Sequence, residues 1–245
     1  MKIKNHLTKF AVAGSVFAMA GLGLVGCAKN DKPVVEEVKN TTSASSKSHS
    51  ASDVKSADDA IALLKAGNAD YIKGIDTTNI SAKTREELVS GQSPYAVVVS
   101  CSDSRVPAEE VFNAGLGEIF TIRTAGEALN STDIGSVEYG VEHAGAKVVV
   151  VMGHSGCGAV AAAVEGHASG DIKTIVDQII PAVNKAKETE KDTKAIASKA
   201  VDINVMNQIE TLRKNKVLKH LEEEGKVKFV GARYDLSTGA VKFFE

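Results

Sequence analysis

Two valine-rich runs, each followed directly by residues with reactive side chains, constrain the fold of this sequence more than any other feature. The first run spans 95–99 and the second spans 148–151. Short β-branched runs that are bounded by turn residues and separated by helical patterns predict buried parallel strands in a βαβ arrangement. Open α/β sheets place their sites in the crevice at the carboxyl ends of such strands. We therefore expect the side chains that follow the two runs to meet at one edge of a sheet.

The rest of the pattern extends this unit to an α/β fold with a mainly parallel central sheet, helices on both faces and a C-terminal hairpin or antiparallel edge strand. Helical spacing of apolar residues predicts the helices, and short apolar runs predict the strands. The expected helices cover 56–71, 81–90, 133–144, 157–165, 172–180 and 201–212. After the first valine-rich strand, the expected strands cover 118–124, 147–153 (which contains the second run), 227–230 and 240–244. Pro181 is expected to interrupt or kink its helix, because proline lacks an N–H donor.

Composition indicates one globular domain with an appendage. Of the 245 residues, 43% are hydrophobic and 24% are charged, which is typical of a chain that can build a packed core. The net charge of -2 gives no electrostatic reason to expect a nucleic acid partner. Aromatic residues are few and Trp is absent, which argues against a surface on which bases stack.

The amino terminus predicts export and attachment to a membrane. Three lysines precede an uncharged stretch at 10–25, which is short for a membrane span and suits a secretory signal. The stretch ends in Leu-Val-Gly-Cys27 and resembles a bacterial lipoprotein signal; an ordinary cleaved signal or an uncleaved anchor is the alternative. We therefore expect 1–27 to be a signal peptide with Cys27 as the lipidation site. The protein would then be anchored to the cell membrane on its extracytoplasmic side, through lipid only.

The segment 28–55 predicts a flexible tether between this signal and the folded domain. Ser and Thr dominate 41–52 and hydrophobic residues are sparse, so the segment cannot bury enough apolar surface to offset the entropy of ordering it. The catalytic domain is expected to cover 56–245. Ser56, with two aspartates close behind it, marks the start of its first helix.

The residues after the two valine-rich runs predict a metal site. Cys101, His154 and Cys157 supply two thiols and an imidazole, a donor set that suits zinc in tetrahedral geometry. Three protein ligands leave one coordination position open, which is typical of a catalytic rather than a structural zinc. In an exported protein, a disulfide between Cys101 and Cys157 is an alternative, and two inert buried thiols are another.

Two motifs in this region resemble the pair of signatures that defines the β-class carbonic anhydrases. They are Cys-Ser-Asp-Ser-Arg-Val-Pro at 101–107 and Gly-His-Ser-Gly-Cys-Gly at 153–158. The segments 64–68, 91–94 and 234–241 resemble family segments in the same order, so the likeness covers the whole predicted domain. The resemblance implies an α/β fold, a homodimer or an assembly of dimers, and zinc-dependent interconversion of carbon dioxide and bicarbonate.

The resemblance also implies a role for each matching residue. Cys101, His154 and Cys157 would hold one zinc ion per subunit, and Asp103 and Arg105 would form the family's catalytic dyad. The implied substrate-binding residues are Gln92, which would donate a hydrogen bond, and the pocket-lining residues Phe120, Ala125, Tyr139 and Gly158.

Two departures from the family pattern are visible. Thr124 stands where the family more often has Asn, which concerns a neighbouring loop more than the metal. The bicarbonate-inhibited subset of the family uses a Trp in its inhibitory site, and the sequence contains none. The sequence therefore argues against that form of regulation.

Elementary chemistry gives the dyad a distinct task. Zinc lowers the pKa of bound water from about 15.7 to about 7, and two thiolates weaken this effect, so activity should favour alkaline pH. Asp103 lies close enough to Cys101 to act as a fourth ligand, and a bidentate pair with Arg105 would hold it away from the metal and orient it to accept a proton. The expected switch is an open site when Arg105 holds Asp103 and a closed site when Asp103 ligates zinc. A surface ion pair of little energetic value is the alternative.

The sequence leaves open the roles of three further histidines and two alternative functions. His143 and His167 are candidates for proton relay or simply solvated side chains, and His220 is expected on a solvated face. One alternative function is a noncatalytic zinc-binding or redox lipoprotein, which would have no use for Gln92, Asp103 or Arg105. The other is hydrolysis of carbonyl sulfide or carbon disulfide on the same scaffold with the same ligands.

Overall fold

A computed structural model describes residues 54–244. The predicted signal peptide at 1–27, the lipidation site Cys27 and nearly all of the predicted tether lie outside the described residues. The first described helix begins where the sequence predicts it. Ser56 accepts a hydrogen bond from the Asp59 N–H at 3.1 Å, and the Asp59 carboxylate accepts one from the Ser56 N–H at 2.9 Å. This reciprocal pair is a capping box, which satisfies two donors at the start of the helix.

The described strands form one five-stranded sheet in the order β2-β1-β3-β4-β5. The strands are β1 (Ala96–Ser100), β2 (Ile119–Arg123), β3 (Val148–His154), β4 (Lys228–Tyr234) and β5 (Val241–Phe243). The first four are parallel, and β5 runs antiparallel to β4 at the edge. The predicted mainly parallel sheet with an antiparallel C-terminal strand is thus confirmed.

Helices lie against the sheet and fill the connections between strands. They are α1 (Ala57–Ile72), α2 (Ala82–Glu87), α3 (Ala108–Val111), α4 (Ser131–Glu142), α5 (Gly158–Glu165), α6 (Ile172–Lys187), α7 (Thr193–Arg213) and α8 (Lys216–Glu223). None of the described helices combines the length and the apolar character that a membrane crossing needs.

The interruption expected at Pro181 is wrong, because α6 passes through this residue and continues to Lys187. Proline removes one helical hydrogen bond, but the residues on both sides of it are anchored in the core. Ile179 and Ala182 are completely buried. Packing of the apolar face therefore outweighs the local cost, as tertiary contacts commonly do.

Helix α7 begins earlier than predicted, and two short helices were not predicted. The Asp192 carboxylate caps α7 by accepting from the Ala195 N–H at 2.9 Å, which the apolar stripe from 201 onward did not indicate. Helix α3 has only four residues, too few to show a helical period. Helix α8 carries His220 on its exposed side and buries Leu218 completely on the other.

The valine-rich runs are buried on both faces, which explains their continuous apolar character. Val98 and Val150 pack with residues of α1 and α3 on one face. Val97, Val99 and Val149 pack with residues of α4, α7 and α8 on the other. The site therefore rests on strands that are held from both sides.

Candidate metal centre

Neighbouring elements at one edge of the sheet carry the three candidate ligands. Cys101 directly follows β1, and His154 is the last residue of β3, which pairs with β1 in parallel. Cys157 is the N-cap residue of α5. Because the strands end together and the N-cap residue of α5 lies three residues after His154, the topology brings the side chains into one place. All three are buried, with exposures of 4%, 0% and 4%.

The ligand atoms of these residues form a compact cluster. The two sulfur atoms and a ring nitrogen of His154 all lie within 4.8 Å of one another. Both cysteines are free thiols, so the alternative of a disulfide between them is wrong. The cluster has the size that a tetrahedral metal with ligands at about 2.0–2.3 Å requires.

The orientation of His154 leaves one ring nitrogen free to bind a metal. Its Nδ1 lies 3.0 Å from the Ser155 carbonyl oxygen, so Nδ1–H donates there and Nε2 carries the lone pair. Nε2 is completely buried, yet it has no hydrogen-bond partner among the described residues. Burying a polar atom without a partner is costly, and a metal-bound histidine characteristically donates its other N–H to a carbonyl or carboxylate. The residues therefore fit a zinc ion.

Asp103 and Arg105 lie beside this cluster as a bidentate pair. Arg105 donates from Nε to Asp103 Oδ1 at 2.9 Å and from Nη2 to Oδ2 at 2.7 Å, and the Arg105 N–H donates to Oδ1 at 2.9 Å. Asp103 Oδ2 also lies 3.9 Å from His154 Nε2. The hydrogen bonds from Arg105 hold the pKa of the Asp103 carboxyl well below its usual range. The carboxylate is thus ionised, turned toward Arg105 and close to the candidate metal position.

Without a metal, the two thiols interact with each other. A hydrogen bond from Cys157 lowers the pKa of Cys101, and the same contact together with burial raises the pKa of Cys157. Metal binding requires both thiolates, so a bound divalent metal would take the place of this hydrogen bond.

Arg123 supports the loop that carries Cys101 and Asp103. Its Nε donates to the Cys101 carbonyl at 3.1 Å and its Nη2 donates to the Asp103 carbonyl at 2.6 Å. Sequence analysis assigned no role to Arg123. Its contacts with two backbone carbonyls follow from the pairing of β2 with β1, in which Ser100 lies beside Arg123.

The loop at 124–127 also contacts the cluster, and sequence analysis noted it for the Asn-to-Thr difference and for Ala125. Thr124 pairs with β1 through its backbone, donating to the Ser100 carbonyl at 3.1 Å. The Gly126 N–H donates to Cys101 Sγ at 3.3 Å. Gly126 and Glu127 have φ angles of 62° and 53°, in the left-handed region. Glu rarely adopts a left-handed φ angle, so the sequence gives no signal for this turn. Only the three-dimensional structure reveals it.

Within one chain, some of the residues expected to bind substrate lie at the metal cluster and the others lie away from it. Ala125 precedes the glycine that contacts Cys101, and Gly158 is the first residue of α5, so both lie at the cluster. Gln92, in contrast, precedes β1, whereas Cys101 follows it. The five residues of β1 separate these ends by roughly 16 Å at about 3.3 Å per residue.

Phe120 and Tyr139 also lie away from the metal cluster of their own chain. Their ring centroids lie 6.2 Å apart. Phe120 pairs with Val97, near the amino end of β1, and Tyr139 is 52% exposed on α4. A single chain therefore does not bring Gln92, Phe120 or Tyr139 to the metal cluster.

The remaining histidines lie on the surface. The side chains of His143, His167 and His220 are 64%, 85% and 68% exposed. The solvated face expected for His220 is confirmed. A relay role for His143 or His167 stays a prediction, because neither residue contacts the cluster through a described hydrogen bond.

Comparison with known proteins accords with this geometry. The sequence pattern of the family described as Carbonic anhydrase matches residues 96–241, more than half of the chain. Tetrameric β-carbonic anhydrases from Sordaria macrospora share the fold with a TM-score of 0.61 and 27% identity, over 65% of this chain and 85% of theirs. The chain belongs to the β-class carbonic anhydrase family. The matched range of this β-carbonic anhydrase includes Cys101, His154 and Cys157, and the family membership expected from the two motifs is confirmed.

Further relatives of this β-carbonic anhydrase support the same assignment. Carbonic anhydrase 2 of Mycobacterium tuberculosis is 39% identical over 126 residues, which cover 49% of this chain and 61% of that protein. The carbonic anhydrase of Emericella nidulans is 30% identical over 163 residues, covering 64% of this chain and 72% of that protein. A Coccomyxa β-carbonic anhydrase in complex with acetazolamide has a TM-score of 0.59 and 27% identity, over 64% of this chain and 74% of that one. The chain thus spans about three fifths of the length of the mycobacterial relative.

Proposed function

We propose that this protein catalyses the reversible hydration of carbon dioxide to bicarbonate and a proton, with one zinc ion held by Cys101, His154 and Cys157. The observation that carries the proposal is the buried, unpartnered Nε2 of His154, grouped with two free thiols within 4.8 Å. The two curated relatives described above are both named carbonic anhydrases, which supports the same reaction. When bound, zinc would supply a water whose pKa is lowered from about 15.7 toward about 7, although less far than in a site with neutral ligands.

The residues around the cluster would orient the reactants and move the proton. Asp103 is ionised and lies 3.9 Å from His154 Nε2, so its carboxylate can accept a proton beside the open coordination position. The two hydrogen bonds from Arg105 fix the carboxylate plane and keep it from turning toward the metal. The pair as it stands corresponds to the open form of the proposed switch, and rotation of Asp103 onto the metal would close it.

We further propose a symmetric dimer in which each chain completes the site of the other. Gln92, Phe120 and Tyr139 lie away from the cluster of their own chain, so they can reach a site only in a second copy. Val89, which precedes Gln92 by three residues, is an exposed apolar side chain at 85%. Strand β2, which carries Phe120, lies at an edge of the sheet. Burial of these side chains in an interface between copies would remove their apolar surface from water.

Stopped-flow measurement of carbon dioxide hydration, with metal content determined on the same sample, tests the proposed reaction. We expect about one zinc ion per chain and turnover that rises toward alkaline pH. A sample fully loaded with zinc but without turnover would refute the reaction and would favour a noncatalytic zinc-binding role. Turnover of carbonyl sulfide or carbon disulfide in place of carbon dioxide would instead assign the hydrolase alternative.

We propose that the mature protein is anchored by lipid at Cys27 on the extracytoplasmic side of the cell membrane, on the strength of the sequence motif. In a bacterial host, Cys27→Ala is expected to abolish labelling with radioactive palmitate, because the acylated thiol is lost. Globomycin is expected to leave the wild-type precursor uncut. Labelling that persists in the variant, or a mature chain that begins at another residue, would refute the anchor.

A further inference from the structure

A buried asparagine on α7 connects to the metal cluster through the turn at Gly126. The side chain of Asn204 is fully buried, and its Nδ2 donates to the Gly126 carbonyl at 2.8 Å. The N–H of the same glycine donates to Cys101 Sγ at 3.3 Å. Gly126 is therefore held on both sides, by an amide from a distant helix and by the sulfur of a proposed metal ligand.

The turn at Gly126 needs such support. Gly126 and Glu127 adopt left-handed φ angles in succession, and a Glu rarely does so. A Cβ built on Gly126 would lie 2.6 Å from Ile179 Cδ1 and 3.0 Å from Ala159 Cβ, so the backbone is in close contact with α6 and α5. Strained turns of this kind persist where surrounding contacts determine them, and they cluster at functional sites.

The other polar groups around the turn do not replace Asn204. Glu127 is 1% exposed, and its Oε1 has no hydrogen-bond partner among the described residues. Gln208 approaches Asn204 Oδ1 only at 3.5 Å, the limit for such a bond. The amide of Asn204 is thus the one close donor described for the Gly126 carbonyl.

We infer that Asn204 is a positioning residue for the metal centre. By holding the Gly126 carbonyl, Asn204 keeps the Gly126 N–H on the Cys101 sulfur and so limits the electron density that this sulfur donates to the metal. Hydrogen bonds to ligand atoms tune the metals that they surround. The inference rests on the proposed metal site, and it assigns a role in that site to a side chain that does not touch the metal.

Replacement of the zinc by cadmium-113 and by cobalt(II) tests this inference in the intact protein. In the wild type, we expect a scalar coupling between the Gly126 amide proton and cadmium-113 through the N–H···S bond. In Asn204→Leu, which is close in volume, and in Asn204→Ser, which is smaller and polar, the coupling should disappear. The sulfur-to-cobalt charge-transfer band should move to longer wavelength, because the Cys101 thiolate becomes richer in electrons.

The same variants should change the pH dependence of catalysis. A more strongly donating sulfur makes the metal less acidic, so the midpoint of the kcat profile should rise and activity at neutral pH should fall about 10-fold. A merely structural role would lower the unfolding temperature without moving the band or this midpoint. Two variants of different size keep the test available if one of them folds poorly.

Asn68→Leu is the matched control. Asn68 is a buried asparagine that donates to the Val111 and Gly239 carbonyls at 3.0 and 2.9 Å, so it supports loops by the same chemistry away from the cluster. This variant should lose stability but keep the coupling and the band. The inference is overturned if both Asn204 variants keep the coupling and band, or if Asn68→Leu shifts them equally. Failure of the wild type to bind cadmium or cobalt would refute the proposed metal site itself.

Discussion

Cys157→Ala is expected to lose nearly all of its zinc and to reduce carbon dioxide hydration by more than about 100-fold, since even the partners of metal ligands are worth about 10–100-fold. The physical reason is that only two of the three proposed ligands, Cys101 and His154, remain to hold the metal. Metal analysis after dialysis against a weak chelator, combined with stopped-flow kinetics, measures both effects.

Val160→Ala provides the matched control for this prediction. Val160 lies three residues farther along, in α5, and is 1% exposed, so its truncation destabilises the same helix without removing a ligand. We expect this variant to unfold at a lower temperature, yet to bind zinc fully and turn over normally. If Cys157→Ala retains full metal occupancy, the assignment of the ligands is wrong.

Asp103→Asn is expected to keep its zinc but to lose about 10²–10⁴-fold in kcat, the range typical of a lost general base. Asn has the shape of Asp but accepts no proton at neutral pH. The Arg105 hydrogen bonds depress the pKa of Asp103 in the folded protein, so the carboxylate is already ionised at pH 5 and stays ionised to pH 9. The loss should therefore be nearly constant across that range. Equal turnover of wild type and variant would dismiss the dyad.

The sign of the stability effect follows from the same pKa shift. A carboxyl group whose pKa is lowered on folding stabilises the folded state above its unfolded pKa of about 3.9. This stabilisation is lost as the pH falls through the folded value. Unfolding measurements on wild type and Asp103→Asn should therefore differ at neutral pH and converge in strong acid.

The Arg105→Gln variant tests whether Arg105 orients the Asp103 carboxylate, separately from the role of Asp103 in proton transfer. Without the bidentate pair, the Asp103 carboxylate is free to turn from Arg105 toward the metal, and Gln cannot restore two parallel charge-assisted bonds. We expect slower turnover together with tighter zinc binding, because the carboxylate becomes a fourth ligand. Asp103→Asn should not show the gain in affinity. Slower turnover with unchanged or weaker zinc binding would contradict the switch.

Much of the fold and the central cluster could be predicted from local sequence. Continuous valine runs with reactive residues behind them indicated buried parallel strands and a site at their carboxyl ends, and Cys101, His154 and Cys157 do converge there. The prediction succeeded because strand periodicity and donor chemistry are properties of neighbouring residues. The interruption expected at Pro181 does not occur, because packing of the surrounding helix face, which involves distant residues, outweighs a local preference.

The sequence by itself predicted the three candidate ligands, the Asp103–Arg105 pair and the parallel direction of the strands, because each of these predictions depends on short motifs and on the order of elements. Only the tertiary structure decided which ring nitrogen of His154 is free, which way Asp103 faces, and that Asn204 reaches Gly126 across 78 positions of the chain. These features depend on distances between residues far apart in sequence, and such distances are set by the packing of helices on the sheet rather than by any local pattern.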